Sequence, residues 1–238
     1  MTRILIIGHG RMGRLVEQFA PAHGCEVAGV TTRGQSIDSR LSFDVAIDFS
    51  TADAVLDHVA AVAAMAGPKG PALQGVGPAS RAIVIGTTGW QAQDAEVRAI
   101  AARRIGVLAA ANFSLGLNAF LLIVEDAARR FAPHAEYGAW IHEAHHAMKK
   151  DAPSGTALLL KAAMADGGYG RAIDVSSTRA GNIPGTHTVG FDGTADTVTL
   201  THTVRDRAVF AHGALEAARW LQGRRGWYSM KDMLGDAR

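Results

Sequence analysis

The run Arg3-Ile4-Leu5-Ile6-Ile7 passes without a break into Gly8-His9-Gly10-Arg11-Met12-Gly13, and no other junction constrains the fold of this chain as strongly. A short β-branched apolar run suits a strand covered on both faces in a parallel sheet. The G-x-G-x-x-G that follows allows a tight turn and lets backbone N–H groups approach a pyrophosphate at a helix start, and a helical pattern over residues 14–23 provides that helix. The glycine spacing alone is weak evidence. Behind a strand and ahead of a helix, it predicts a dinucleotide-binding unit.

Strand and helix signals then alternate. Strands are expected at 26–31, 44–49, 82–86 and 106–110, with helices at 52–66 and 91–103 between them and a long apolar helix at 117–131. Residues 67–80 hold three prolines and four glycines with little periodicity and read as a loop or mobile insertion. The second strand ends on Thr31, Thr32 and Arg33, where an acid would bind the ribose 2′-hydroxyl of a nicotinamide cofactor. A 2′-phosphate is tolerated there, with Arg33 either its partner or a solvated loop residue.

After this the grammar changes. Strands at 137–146, 174–179, 187–192 and 197–205 surround one helix at 154–166, and Asp192-Gly193-Thr194-Ala195-Asp196 supplies a hairpin turn. An amphipathic helix returns at 208–221, and the tail through Met230 and Met233 is expected to pack back on the first domain. The expected fold is therefore α/β. A doubly wound, Rossmann-like parallel sheet occupies 1–113 with 208–238, and a second α+β domain with a mixed four-stranded sheet occupies 114–207.

Composition excludes other classes. Apolar residues make up 48% of the 238, enough for a real core, and 24 basic residues against 22 acidic ones leave no concentrated positive face for a nucleic acid. The single Cys25 rules out an internal disulfide and reads as a buried thiol. No signal peptide is evident at Met1, and the apolar stretch at 115–124 is interrupted by Asn118 and stops at Glu125-Asp126, so a cytoplasmic enzyme with no membrane span is expected.

The chemistry is expected between Glu143 and Ala157. That stretch brings His145, His146, Lys149 and Lys150 to a helix start at Ser154-Gly155-Thr156, where unpaired N–H groups and a positive dipole end suit an anion such as a carboxylate. Adjacent histidines on a strand point to opposite faces and do not share a metal, so no metal site is expected. A lysine here could donate a proton, clamp a carboxylate or form a Schiff base, and spacing does not choose among these.

Together these residues resemble the 4-hydroxy-tetrahydrodipicolinate reductase (dihydrodipicolinate reductase) family over nearly the whole chain. The resemblance is carried by Gly10-Arg11-Met12-Gly13, Asp48-Phe49-Ser50, Gly86-Thr87-Thr88-Gly89, Ala111-Asn112-Phe113-Ser114 and, above all, Glu143-Ala144-His145-His146 through Lys149 to Asp151-Ala152-Pro153-Ser154-Gly155-Thr156-Ala157. Arg179-Ala180-Gly181, Pro184-Gly185 and His187-Thr188-Val189 add to it.

The resemblance implies that a cyclic dicarboxylate is reduced by hydride from NADPH or NADH in lysine and diaminopimelate synthesis. It implies His145 as proton donor and acceptor, Lys149 as a second proton donor, and His146, Ser154, Gly155 and Thr156 as substrate-binding residues. For the cofactor it implies Gly8, His9, Gly10, Arg11, Met12, Gly86, Thr87, Thr88, Ala110, Ala111, Asn112 and Phe113, and for assembly a homotetramer joined through the second domain's sheet. The chain departs from the family pattern in a glycine loop one residue short, in Thr31 where many members carry an acid, and in the 67–80 insertion. A dehydrogenase of another substrate would share the N-terminal pattern but gives no reason for His145 to Thr156, and a dinucleotide sensor, whose second domain would only dimerise or bind a partner, would bind NADPH without oxidising it.

Overall fold

Apolar runs covered on both faces build the first sheet of the computed structural model, which describes residues 1–66, 81–102 and 104–235. The 67–80 stretch, expected as a loop, lies outside the described residues. The chain divides into two units, Met1–Leu115 with Ala208–Arg238, and Gly116–Arg207.

In the first unit, strands β1 (Thr2–Ile7), β2 (Cys25–Thr31), β3 (Val45–Asp48), β4 (Ala82–Ile85) and β5 (Gly106–Ala109) alternate with helices α1 (Arg11–Phe19), α2 (Val55–Ala64) and α3 (Asp94–Ala101). Every pairing is parallel, and a late strand, Gly226–Tyr228, closes the far edge beside β5. Successive side chains point to opposite faces, so the same strands feed two cores. Ile4, Ile6, Val45, Ile47, Val84 and Leu108 meet Val16 of α1 and Ala211, Ala214 and Leu215 of the late helix Ala208–Leu221. Leu5, Ile7, Ala46, Ile83, Ile85 and Val107 meet Val55, Val59 and Val62 of α2 and Val97 of α3. This is the doubly wound arrangement expected from the strand and helix alternation.

Boundaries differ where local physics is short-ranged. Helix α1 starts at Arg11 rather than Arg14, because the turn is complete at Gly10 and the last glycine of the motif lies inside the helix. The approach is close: a Cβ on Gly13 would stand 2.0 Å from the Gly8 carbonyl oxygen. Short 3-10 turns at Ala52–Ala54 and Gln91–Gln93 precede α2 and α3. Cys25 opens β2, is buried and free, and its burial raises the thiol pKa.

The second unit contains α4 (Leu115–Phe131), β6 (Gly138–His145), α5 (Gly155–Asp166), β7 (Ile173–Arg179), β8 (Thr186–Asp192) and β9 (Thr197–Thr203). Its sheet runs β7-β6-β8-β9, with β6 parallel to β7 and antiparallel to β8. One face is apolar: Ile141, Val189 and Phe191 pack with Leu117, Phe120 and Val124 of α4 and Leu160 and Met164 of α5. The other carries polar ladders, including Thr186–Thr203 at 3.2 Å and Thr188–Thr201 at 3.0 Å. Arg171 closes the end of α4 by donating to the carbonyls of Phe131, Ala132, His134 and Tyr137. The chain then returns to the first unit as α6 (Ala208–Leu221), β10 (Gly226–Tyr228) and α7 (Met230–Gly235), with Met230 buried in the layer of α1 and α6. No helix among the described residues is long and apolar enough to cross a membrane.

Candidate active site

Strand register assembles the site in the second unit. The two-residue period puts Glu143 and His145 on the same face of β6, the face that carries Ile141 into the core. Across the sheet, Arg179 of β7 lies beside His145 and His187 of β8 lies beside Glu143. Four chemically active side chains from three strands thus meet at one end of an otherwise apolar layer.

Glu143 is fully buried and saturated with donors. Arg179 approaches it as a fork, with Nη2 donating to Oε1 at 2.6 Å and Nη1 to Oε2 at 2.9 Å. His145 Nδ1 lies 2.5 Å from Oε2, and the backbone N–H of Ser154 donates to Oε1 at 3.2 Å. Burial by itself would raise the carboxyl pKa, but the donors from Arg179, Ser177, His145 and Ser154 outweigh it and hold the group down at about 2. Glu143 is an anion wherever the protein is folded near neutrality.

Helix α5 presents its start to the same cluster. Ser154 is its N-cap, with Oγ accepting from Ala157 N–H at 3.2 Å and lying 3.1 Å from His187 Nε2. Because Ser154 is only 1% exposed and its hydroxyl is engaged, its part is to hold the helix start, while Gly155 and Thr156 stand at the surface end. Lys149 reaches both oxygens of Asp151 at 2.8 Å, and the Asp151 carboxylate also accepts from Gly155 N–H, so its pKa is lowered. A carboxylate therefore already sits where lysine and helix start converge. His146 is half-buried in the turn after β6, where its carbonyl accepts from Lys149 N–H at 3.1 Å.

The two buried imidazoles are both biased toward their neutral forms. For His145 burial lowers the pKa, opposed by its bond to Glu143. For His187 burial, reinforced by His145 beside it, pushes the value down to about 4. The rings meet edge to face at 5.0 Å. Glu143, His145 and His187 also offer ligand atoms within 4.8 Å of one another. A cation there would have to displace a guanidinium fork from the carboxylate, so the cluster reads as a hydrogen-bond network rather than a metal centre.

The nucleotide-type features lie in the first unit. Gly8 adopts φ +90° and sits so close to Phe49 that a Cβ would stand 2.4 Å from its carbonyl oxygen. Gly8, His9 and Gly10 line a cavity of about 570 Å³ whose other walls include Thr31, Thr32, Arg33 and Gln35. Helix α1 has no side-chain cap and no acid in its first turn, leaving the N–H groups around Arg11 and Met12 available to an anion.

A smaller cavity of about 180 Å³ is lined by Thr87, Ala110 and Ala111. Thr88 and Gly86 flank Thr87 at the exit of β4. Asn112 Oδ1 accepts from Ser114 N–H at 2.8 Å, and Phe113 is buried in the core. The Thr87 hydroxyl is engaged by the buried carboxylate of Asp48, which also receives Ser50 and His58 Nδ1 at 2.8 Å. The Thr87 N–H is engaged too, donating to the Asp48 carbonyl at 3.1 Å.

Residues 116–234 match the family model described as "Dihydrodipicolinate reductase, C-terminus". The 4-hydroxy-tetrahydrodipicolinate reductase of Methanocorpusculum labreanum is 37% identical over 99% of this chain and 100% of its own length. The chain belongs to the 4-hydroxy-tetrahydrodipicolinate reductase family. The enzyme of that name from Acidiphilium cryptum is 38% identical over 95% of this chain and 94% of its own. The fold is shared with a dipicolinate-bound dihydrodipicolinate reductase from Paenisporosarcina sp. TG-14, with TM-score 0.77 at 20% identity over 96% of this chain and 97% of that one.

Sequence reasoning about this reductase family member centred on His145 and Lys149 and gave no role to Glu143, Arg179 or His187. Glu143 stands two residues from His145, a spacing that places both on one face of a strand, so that pairing was legible. Arg179 and His187 were not, since only register brings them there. Asp48 entered only as part of Asp48-Phe49-Ser50, and His58, which α2 brings to it, was missed.

Proposed function

We propose that this chain reduces 4-hydroxy-tetrahydrodipicolinate to tetrahydrodipicolinate with NADPH or NADH, in lysine and diaminopimelate synthesis. The observation that carries this reading is kinship along 99% of the chain with reductases of that name. The buried cluster built on Glu143 supports it.

A nicotinamide dinucleotide fits the chemistry of the first unit: an uncapped helix start for the pyrophosphate, and a cavity rather than packed side chains beside the glycine loop. Gly8, His9, Gly10, Arg11 and Met12 would hold the phosphates. Gly86, Thr87, Thr88, Ala110, Ala111, Asn112 and Phe113 would line the reach of the nicotinamide. When bound, the reduced ring supplies the hydride. Thr31, Thr32 and Arg33 in the cavity wall favour use of NADPH at least as readily as NADH, because Arg33 can meet a 2′-phosphate.

In the second unit, Gly155 and Thr156 N–H groups and Lys149 would hold a substrate carboxylate, displacing Asp151, with His146 beside it. Hydride arrival builds negative charge on the conjugated substrate, and His145 and Lys149 answer it with protons. The polar face of the four-stranded sheet is where copies would meet as a homotetramer. The cytoplasm is the compartment this reading implies.

The test is a coupled assay in which an upstream synthase condenses pyruvate with aspartate semialdehyde and NADPH absorbance is followed. Consumption should collapse in His145→Gln and Lys149→Ala while nucleotide binding persists. A parent protein that binds NADPH yet never oxidises it would refute the reading in favour of a sensor.

A further inference from the structure

Glu143 cannot donate a hydrogen bond. Both oxygens of an ionised carboxylate are acceptors, and the Arg179 fork, at 2.6 and 2.9 Å, is the arrangement that keeps it ionised. The short contact to His145 at 2.5 Å therefore requires the hydrogen on Nδ1. Neutral imidazole carries one ring hydrogen, so Nε2 is then a bare lone pair, and when His145 is protonated the second hydrogen stands on Nε2. Nε2 is the nitrogen next to Gly185, where the absence of a side chain leaves room, and no hydrogen bond from the described residues engages it.

We infer that Glu143 is a positioning residue for the reduction proposed above, locking His145 so that Nε2 is the atom that gives the proton and Nδ1–H is retained. This rests on that functional reading. In the step, the Nε2–H bond breaks, its electron pair stays on Nε2, and the proton goes to the substrate atom made electron-rich by the hydride. His145 is left neutral, as the Nδ1–H tautomer.

The same carboxylate reaches further. Its Oε1 holds Ser154 N–H at the start of α5, and its partner Arg179 donates to the Asp151 carbonyl at 2.5 Å, in the loop that carries Lys149. One buried ion pair thus registers the imidazole, the lysine loop and the helix start against one another. The groups acting on His145 are Glu143 on its own strand, Arg179 on β7, Lys149 on the following loop and His187 on β8. Of these only Glu143 raises its proton affinity, while Lys149 and Arg179 oppose it.

Two measurements test this. In the parent protein with ¹⁵N-labelled histidine, the His145 signals, assigned by their loss in His145→Gln, should report Nδ1 protonated and Nε2 bare above the pKa. The reverse tautomer overturns the proposal even if Glu143 variants fail to fold. In Glu143→Gln, kcat should fall about 100-fold with nucleotide affinity unchanged. The basic limb of the kcat profile, where a proton donor is lost as pH rises, should move to lower pH by about one unit. Reduced kcat with an unmoved limb would make Glu143 merely structural and overturn the assignment. A parent that never turns over in the coupled assay would instead refute the functional reading.

Discussion

Gly185 stands over His145 so closely that a Cβ built on it would lie 3.2 Å from the imidazole Nε2. Its φ of +146° is one that side-chain-bearing residues rarely adopt, so this position is restricted to glycine for two independent reasons. Gly185→Ala should lower stability by about 1–2 kcal/mol in urea unfolding. It should also reduce kcat/KM by more than the loss of folded protein explains, with NADPH affinity unchanged. Full activity in the folded variant would show that nothing needs to approach Nε2 from that side.

Helix α1 rests on the carbonyl of Gly8 through Gly13, where a Cβ would intrude to 2.0 Å. Gly13→Ala must push the helix start off the glycine turn and should cost about 1–3 kcal/mol. Fluorescence titration with NADPH should show binding lost or strongly weakened. Unaltered affinity would exclude this helix start as the phosphate site.

His187 has a folded pKa of about 4 against an ordinary 6.5, lowered by burial. Between these values the unfolded chain takes up a proton that the folded protein refuses, so stability is intact above pH 6.5 and falls as pH drops toward 4. The loss should be on the order of 3 kcal/mol. Glu143, held at about 2 from 4.5, adds a further loss between those values, again as pH falls. In His187→Gln the unfolding free energy between pH 6.5 and 4 should flatten; an unchanged slope would assign the acid sensitivity elsewhere.

Arg171 gathers four carbonyls behind α4 and stacks over Tyr169 at 4.3 Å. Removing the guanidinium takes a charge-assisted donor from all four at the negative end of a helix dipole, although the carbonyls of Phe131, His134 and Tyr137 keep a second donor. Arg171→Ala should cost about 2–4 kcal/mol in denaturant unfolding. Arg171→Lys should recover only part of it, since one ammonium cannot reproduce the planar fork.

Arg33 lines the cavity beside the glycine loop. If it meets a 2′-phosphate, Arg33→Ala should raise KM for NADPH about tenfold, the scale of one charge-assisted contact, and leave NADH untouched. Equal effects on both nucleotides, or none, would argue that Arg33 is solvated.

Local patterns were readable wherever a single segment carries the information. The alternation in β1 to β5, the glycine turn and the period of α4, α5 and α6 are consequences of what each residue's neighbours do, and the structure matches them within a few residues. The short strand Gly226–Tyr228 escaped notice because three residues carry no period, and it pairs with β5 from more than 100 positions away.

The sequence by itself determined a two-faced parallel sheet with a nucleotide-type turn and a following mixed sheet, and it marked Glu143 to Ala157 as the stretch where chemistry is expected. Backbone sterics and side-chain polarity act over a turn or a strand, so those features needed no partner. Tertiary structure alone decided which groups Glu143 answers to. Arg179 is 36 residues away and His187 is set by antiparallel register, and a register slip of one residue would turn either side chain to the other face of the sheet. That Glu143 and His145 share a strand face was written locally by their spacing; which groups surround the His145 ring depends on strand pairing.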